Sequence, residues 1–280
     1  MDPETKKRVL ITGAGGFLGS RLMHKMRAQT SLEIMGILHK PGENLDPGHL
    51  FVADLLDPET YENQLEGVDT VIHLAQTKGS FEESASAVFS RNLRMTTQLV
   101  DSCLAFHVKK LIFLSSASTM IRTSDSFLVT SEGKISPTMH TQYSKTKYKE
   151  ELEIRRGEAE GLQVAILNPS PICDRSTSME ALQMNPEFGP FSSGFLRNHI
   201  PLCPVNKLED LLVQLVTGDL KGEQILLCQK SEEWNPDDPA YRKPNPSYSF
   251  MASIRKFFFG TRLPSEAAFL ASGSLNYECK

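Results

Sequence analysis

At 280 residues, with 40% hydrophobic and 23% charged residues, the chain suits one large α/β domain or a main domain with a smaller lobe. A formal net charge of −4 gives no broad electrostatic reason to bind nucleic acid or an anionic membrane. The five cysteines lack C-x-x-C spacing and the seven histidines form no H-x-H or H-E-x-x-H cluster, so a disulfide framework and a metal centre have no support and reduced thiols in the cytoplasm are expected.

The charged opening MDPETKKR has no apolar stretch behind it, so no signal peptide is expected, and no apolar run reaches the length of a membrane span. Arg8–Thr12 (RVLIT) reads as a strand that ends at a glycine cluster, and Leu18, Leu22 and Met26 then recur at helical spacing. Further strands are expected at Leu32–Leu38, His49–Asp54, Val68–Ala75, Val108–Ser116 and Gly161–Pro169. A long helix from Ala85 to Phe106 precedes the strand at Val108–Ser116, and a charged helix around TQYSKTKYKEE precedes the one at Gly161–Pro169. Apolar strands alternating with helices predict a doubly wound, Rossmann-like α/β fold around a parallel sheet. After Pro169 the rhythm breaks into Pro-, Ser-, Asn- and Gly-rich sequence, then resumes with an amphipathic helix at Lys207–Thr217 and a strand at Glu223–Cys228. Residues 1–169 are therefore read as a dinucleotide-binding domain to which that helix and strand return, and 170–280 mostly as a small C-terminal substrate lobe.

TGAGGFLG (Thr12–Gly19) lies where a strand hands over to a helix. Its glycines follow Gly13-x-x-Gly16-x-x-Gly19. Glycine permits the tight turn and the close approach of backbone to a pyrophosphate, and the first helical turn, Phe17 and Leu18 included, presents free N–H groups. The alternative is a plain glycine-rich turn. The second strand ends Leu38-His39-Lys40 without an acid, which favours NADP(H), whose 2′-phosphate Lys40 would meet; NAD(H) stays open because Glu43 is close by. Asp54, with Leu55 after it, falls at the rim where ligands of open sheets gather and could accept from an adenine amino group, or could simply cap a turn. Small Ala75, after Leu74, would let a dinucleotide lie close; His73 is read as either a satisfied strand-end histidine or a contact.

Tyr143 and Lys147 are four apart, so on a helix they share a face, whereas Lys145 and Lys149 point away and are read as solvated with Glu150 and Glu151 as neighbours. A free phenol titrates near ~10, and one positive charge about 4 Å away at an effective dielectric near 20 favours phenolate by ~4 kcal/mol. That is the size of shift a proton shuttle at neutral pH needs, although burial opposes it.

With the glycines, ADLLD, HLA, the serines of LSSAST and Tyr143-x-x-x-Lys147 in this order, the chain resembles the extended short-chain dehydrogenase/reductase family, the NAD-dependent epimerase/dehydratase superfamily. The later segments are most similar to dihydroflavonol-reductase-like and hydroxysteroid-dehydrogenase-like members. The resemblance implies that Tyr143 is the catalytic acid/base, that Lys147 is its partner and holds the nicotinamide ribose, and that Ser116 orients the substrate oxygen. Ser115 or Ser118 could replace Ser116. It also implies that Asn92 supports the cofactor or the helix backbone, that Pro169 lies beside the nicotinamide, and that a homodimer could form through the Asn92 and Tyr143 helices.

Two turns depart from the family pattern: STMIRT after the serines and PICDRS after Pro169. The expected activity is hydride transfer between a nicotinamide and a small carbonyl or alcohol substrate. The alternatives are a nucleotide-sugar epimerase or dehydratase with bound NAD, in which Arg175 or Arg197 could serve the diphosphate, and a dinucleotide-binding regulatory protein with little turnover.

Overall fold

The computed structural model describes residues 6–29, 31–41, 48–77, 83–120, 128–129, 142–170, 172–173, 203–227 and 276–277. Glu43, Arg175, Arg197, Cys228, Cys279 and most of the expected C-terminal lobe lie outside them.

In chain order, β1 is Arg8–Thr12, α1 Phe17–Gln29, β2 Glu33–Leu38, β3 Leu50–Val52, β4 Thr70–His73, α2 Ala85–Ala105 and β5 Lys110–Leu114. They are followed by β6 (Leu128–Val129), α3 (Gln142–Ala159), β7 (Gln163–Pro169), β8 (Ile172–Cys173), β9 (Cys203–Pro204), α4 (Val205–Thr217), β10 (Glu223–Leu227) and β11 (Asn276–Tyr277). Seven strands make one sheet in the order β3-β2-β1-β4-β5-β7-β10, every neighbouring pair parallel. Two small pairs, β6 with β11 and β8 with β9, stand apart from it.

Alternation along the strands sends side chains to both faces. Leu10, Val71, Leu111, Phe113, Val164 and Ile166 meet Leu99, Val100 and Cys103 of α2 and Ile154 of α3. Val9, Ile11, Ile72, Ile112, Ala165 and Leu167 meet Leu18, Leu22 and Met26 of α1 and Leu208, Leu212 and Val216 of α4. Burial on both faces explains why the strands read as continuous apolar runs.

The first strand has its expected bounds, and the others are shorter than those runs. Val68 and Val108 are buried, but each sits in the turn before its strand: the N–H of Val68 is tied to the Leu65 carbonyl and that of Val108 to Cys103. The third strand shrinks to Leu50–Val52. The late helix begins two residues before its expected start, where buried Val205 follows Pro204.

Register places the strand ends on one rim. Thr12 is opposite Ile37 and His73, His73 is opposite Phe113, Leu114 is opposite Leu167, and Pro169 is opposite Leu227. The glycine turn, the segments after β2, β3 and β4, Ser115–Ser116 and Pro169 therefore emerge along the carboxyl edge of the sheet, where open α/β sheets bind ligands. Among the described residues, no helix is long and apolar enough to cross a membrane.

Candidate active site

The glycine turn is tight for identifiable reasons. Gly13 has φ +71, and a Cβ there would come within 2.8 Å of the Ala75 nitrogen. A Cβ on Gly19 would lie 2.2 Å from the Gly13 carbonyl oxygen and 2.8 Å from Ala14 Cα. The turn closes through the Gly16 N–H, which donates to the Gly13 carbonyl at 3.0 Å. Backbone thus packs on backbone, and the N-terminal turn of α1 is drawn against the end of β1. This cradle fits a pyrophosphate, because unpaired N–H groups of a first helical turn are brought to the rim with no side chain in between. Phe17 is exposed and stacks 5.7 Å from the Arg21 guanidinium carbon. Leu18 and Leu55 are buried, so either could meet a ligand only through its main chain.

Lys40 is exposed just past β2. One oxygen of Asp54 accepts from the Leu56 N–H at 2.9 Å, and the Thr60 hydroxyl donates to the Asp54 carbonyl at 3.1 Å, so Asp54 shapes its own turn. Asn92 is buried within α2, and its amide grips one peptide of the segment after β4. Its Oδ1 accepts from the Thr77 N–H and its Nδ2 donates to the Thr77 carbonyl, both at 2.9 Å. His73 is 1% exposed with both ring nitrogens occupied, Nδ1 against Thr12 Oγ1 at 2.8 Å and Nε2 against Thr96 Oγ1 at 3.0 Å. Of its two readings, the satisfied strand-end histidine is the one present. Burial, with Lys147 nearby, pushes its pKa down to about 3.

Tyr143 lies in the first turn of α3 and is 39% exposed. Lys147 is buried one turn on. Its ammonium donates to the Leu114 carbonyl at 2.9 Å, sits 4.6 Å from the Phe113 ring centre and pairs with a Glu150 oxygen at 3.4 Å. Burial lowers its pKa, and the Glu150 and Glu151 carboxylates oppose that shift. The structure therefore brings Lys147 to the end of β5, two residues before Ser116.

The three serines differ. Ser115 and Ser118 are buried, whereas Ser116 is half-buried. Ser115 donates to Glu151, and Ser118 donates through both its N–H and its hydroxyl to Ser116 Oγ, at 3.2 and 3.0 Å. Ser116 is thus the outermost of the set. Its own hydroxyl proton has no acceptor among the described residues. Pro169 is buried at the end of β7.

Lys145 and Lys149 are exposed, as expected, but Glu150 and Glu151 are buried. Glu151 accepts from Ser115, from Thr119 Oγ1 at 2.8 Å and from Asn168 Nδ2 at 2.8 Å, a buried knot beneath the serine turn. Burial raises its pKa against the pull of those three donors. Spacing carried the signal: Tyr143, Lys147 and Glu151 are successive i, i+4 positions, and Glu150 shares the inner arc with Ile154.

Residues 9–177, more than half of the chain, match the family model described as NAD dependent epimerase/dehydratase family. The chain belongs to that family. A 2-alkyl-3-oxoalkanoate reductase of Shewanella oneidensis is 29% identical over 119 residues, covering 41% of this chain and 30% of the relative. A 3beta-hydroxysteroid-dehydrogenase/decarboxylase isoform 2 of Arabidopsis thaliana is 27% identical over 186 residues, covering 60% of this chain and 33% of the relative. The chain thus spans only a minority of the length of these curated relatives. A short-chain dehydrogenase/reductase superfamily protein from Agrobacterium tumefaciens, solved with bound NAD, superposes with a TM-score of 0.64 at 19% identity over 79% of this chain and 77% of that one. At that identity the likeness speaks for the fold alone. Family membership makes an NAD(P) dinucleotide the cofactor class of this chain.

Proposed function

We propose that the protein is an oxidoreductase that interconverts a carbonyl compound and its alcohol, with NADP(H) as the favoured cofactor. One observation carries the reading: the buried Lys147 ammonium is bound to the Leu114 carbonyl at the carboxyl edge of β5, one helical turn from half-exposed Tyr143, on the rim that also bears the glycine cradle.

The nicotinamide dinucleotide supplies or takes up the hydride when it is bound. The glycine turn from Gly13 to Gly19 holds its pyrophosphate, and the shape of Ala75 lets the dinucleotide pass close over β4. Lys40 meets the 2′-phosphate that distinguishes NADP from NAD. Ser116 orients the substrate oxygen with its hydroxyl, while Ser118 fixes the Ser116 Oγ from behind. Tyr143 gives its phenolic proton to that oxygen on reduction and takes one back on oxidation. Lys147 places a positive charge one helical turn from Tyr143 and favours the ionised form of the phenol. Asn92 serves the site at one remove by anchoring the Thr77 peptide of the segment after β4. The cytoplasmic setting of this reading rests on the scattered, odd-numbered cysteines of the sequence.

The test is titration of the purified protein with NADPH and NADH, followed by a panel of ketones, aldehydes and nucleotide sugars for wild type and Tyr143→Phe. Turnover of a carbonyl that vanishes in the variant while nucleotide binding persists is the expected result. Tight nucleotide binding with no turnover across the panel, or turnover that survives in Tyr143→Phe, overturns the proposal.

A further inference from the structure

Glu150 is 1% exposed, and its Oε2 is a buried carboxylate oxygen with no partner of hydrogen-bond geometry among the described residues. Such an atom calls for a physical explanation. The group that compensates it is the Lys147 ammonium, 3.4 Å away.

The other oxygen shows how Glu150 is held. Thr96 Oγ1 donates to Glu150 Oε1 at 3.3 Å. A hydroxyl has one proton, so Thr96 must accept at its contact with His73, which makes Nε2 the protonated ring nitrogen. His73 Nδ1 then accepts from the Thr12 hydroxyl at 2.8 Å, and Thr12 Oγ1 accepts from the Ala75 N–H at 3.3 Å. Every bond in the line from Ala75 through Thr12, His73 and Thr96 now runs in one direction and ends on a carboxylate. Thr12, His73 and Thr96 are all at most 1% exposed, so water offers them no competing partners. The line joins the end of β1, where the glycine turn begins, to the lysine of α3.

We propose that Glu150 is a positioning residue for Lys147, fixed by the Thr12–His73–Thr96 line, and that it keeps the buried ammonium charged and tethered at the Leu114 carbonyl. The inference rests on the functional reading above for the importance of Lys147, and on the contacts just described for everything else. The other ionisable groups that act on the ammonium are Glu151 on α3 and His73 on β4, while Tyr143 stands one helical turn earlier on α3. From the elements packed against it, α2 contributes Thr96, and β5 the Leu114 carbonyl and the Phe113 ring. Glu151 adds the weaker pull and is engaged by Ser115, Thr119 and Asn168, and His73 is neutral, so Glu150 is the anion in direct contact with the lysine.

The experiment uses nucleotide-free full-length protein with 13C-labelled lysine and glutamate side chains. Lys147 is assigned through Lys147→Met, and its ε-carbon resonance is followed against pH in wild type, Glu150→Gln and Thr96→Val. In Glu150→Gln the Lys147 midpoint should fall by about one pH unit or more, a tenfold change in proton affinity. It should fall by less in Thr96→Val. The alkaline loss of NADPH binding should move with the midpoint in each protein. In wild type the Glu150 carboxyl resonance should step at the lysine midpoint, since the two sites are coupled. This measurement keeps the test alive should Glu150→Gln not fold. A Glu150→Gln midpoint within about 0.3 pH unit of wild type, or a Glu150 resonance blind to the lysine, overturns the proposal. A shift in Glu150→Gln with none in Thr96→Val overturns the part assigned to the Thr12–His73–Thr96 line. None of these readings needs turnover, so an unaltered midpoint sinks this inference alone, whereas turnover that survives in Tyr143→Phe sinks the functional reading alone.

Discussion

A Cβ on Gly19 would stand 2.2 Å from the carbonyl oxygen of Gly13. Backbone, not a movable side chain, fills that space, so α1 cannot start where it does with any other residue at 19. Gly13 adds a positive φ and a 2.8 Å conflict with the Ala75 nitrogen. Gly15 differs, since its Cβ would meet only the flexible Leu38 side chain, at 3.1 Å. Gly19→Ala and Gly13→Ala are therefore expected to weaken NADPH and NADH binding at least about tenfold and to lower the melting temperature, with Gly15→Ala closer to wild type on both measures. Equal affinities for Gly19→Ala and Gly15→Ala in a fluorescence titration would count against the cradle.

Asn92 spends both ends of its amide on the Thr77 peptide. Asn92→Ala leaves that N–H and carbonyl to find other partners, a loss of about 1–3 kcal/mol. Asn92→Asp retains the acceptor but sets a carboxylate against the Thr77 carbonyl, so it should be no better than alanine. Urea unfolding of the three proteins checks this. Unchanged midpoints in both variants would mean that the segment after β4 is held by something else.

The His73 ring makes acid stability a readable quantity. Its folded pKa of about 3 lies below the ordinary 6.5, so between those values the unfolded chain binds a proton that the folded protein refuses. Stability from this group is complete above pH 6.5 and declines as pH falls, by at most ~1.4 kcal/mol per pH unit. His73→Asn should be less stable than wild type at pH 8, because it loses ring contacts to Thr12 and Thr96. It should nevertheless show a flatter decline between pH 6.5 and about 5, a range chosen to stay above most carboxylate titration. Parallel declines in the two proteins would show that the histidine does not titrate as its burial requires.

The sheet and the order of its elements were legible because the inner strands are apolar on both sides and α1 and α4 carry a clear helical period. Strand boundaries were less so, since Val68 and Val108 are core residues that sit in turns, and an apolar run does not say where pairing begins. At the candidate site, the glycine turn, Tyr143 and Lys147 stood out by residue type and spacing. Burial then decided alternatives that spacing left open: Asn92 and His73 are both interior and engaged. The Glu150 and Glu151 environment was harder to see. The inner face of α3 bears Lys147, Glu150 and Glu151 as well as Ile154, and a polar inner face resembles a solvated one when judged by hydrophobic period alone. What betrays it is chemistry across the chain: Ser115, Thr119 and Asn168, remote in sequence, all donate to one carboxylate.

That carboxylate, Glu151, supports a last prediction with the opposite sign to His73. Burial raises its pKa above the ordinary carboxyl value of 4.5, so the folded protein holds its proton to higher pH than the unfolded chain does. The stability it contributes is complete below 4.5 and is lost as pH rises through the folded pKa. Glutamine keeps an oxygen for the Ser115, Thr119 and Asn168 donors and cannot ionise. Glu151→Gln should therefore gain on wild type as pH rises from 4.5 to neutrality, the gap levelling off once Glu151 is ionised. Glu151→Leu removes the acceptor and leaves buried donors unpaired at about 1–3 kcal/mol each, so it should be strongly destabilised at every pH. Denaturant unfolding at pH 4.5 and at pH 8 separates the cases. If wild type instead gains on Glu151→Gln as pH rises, the donors outweigh burial and the carboxylate is the favoured form in the core.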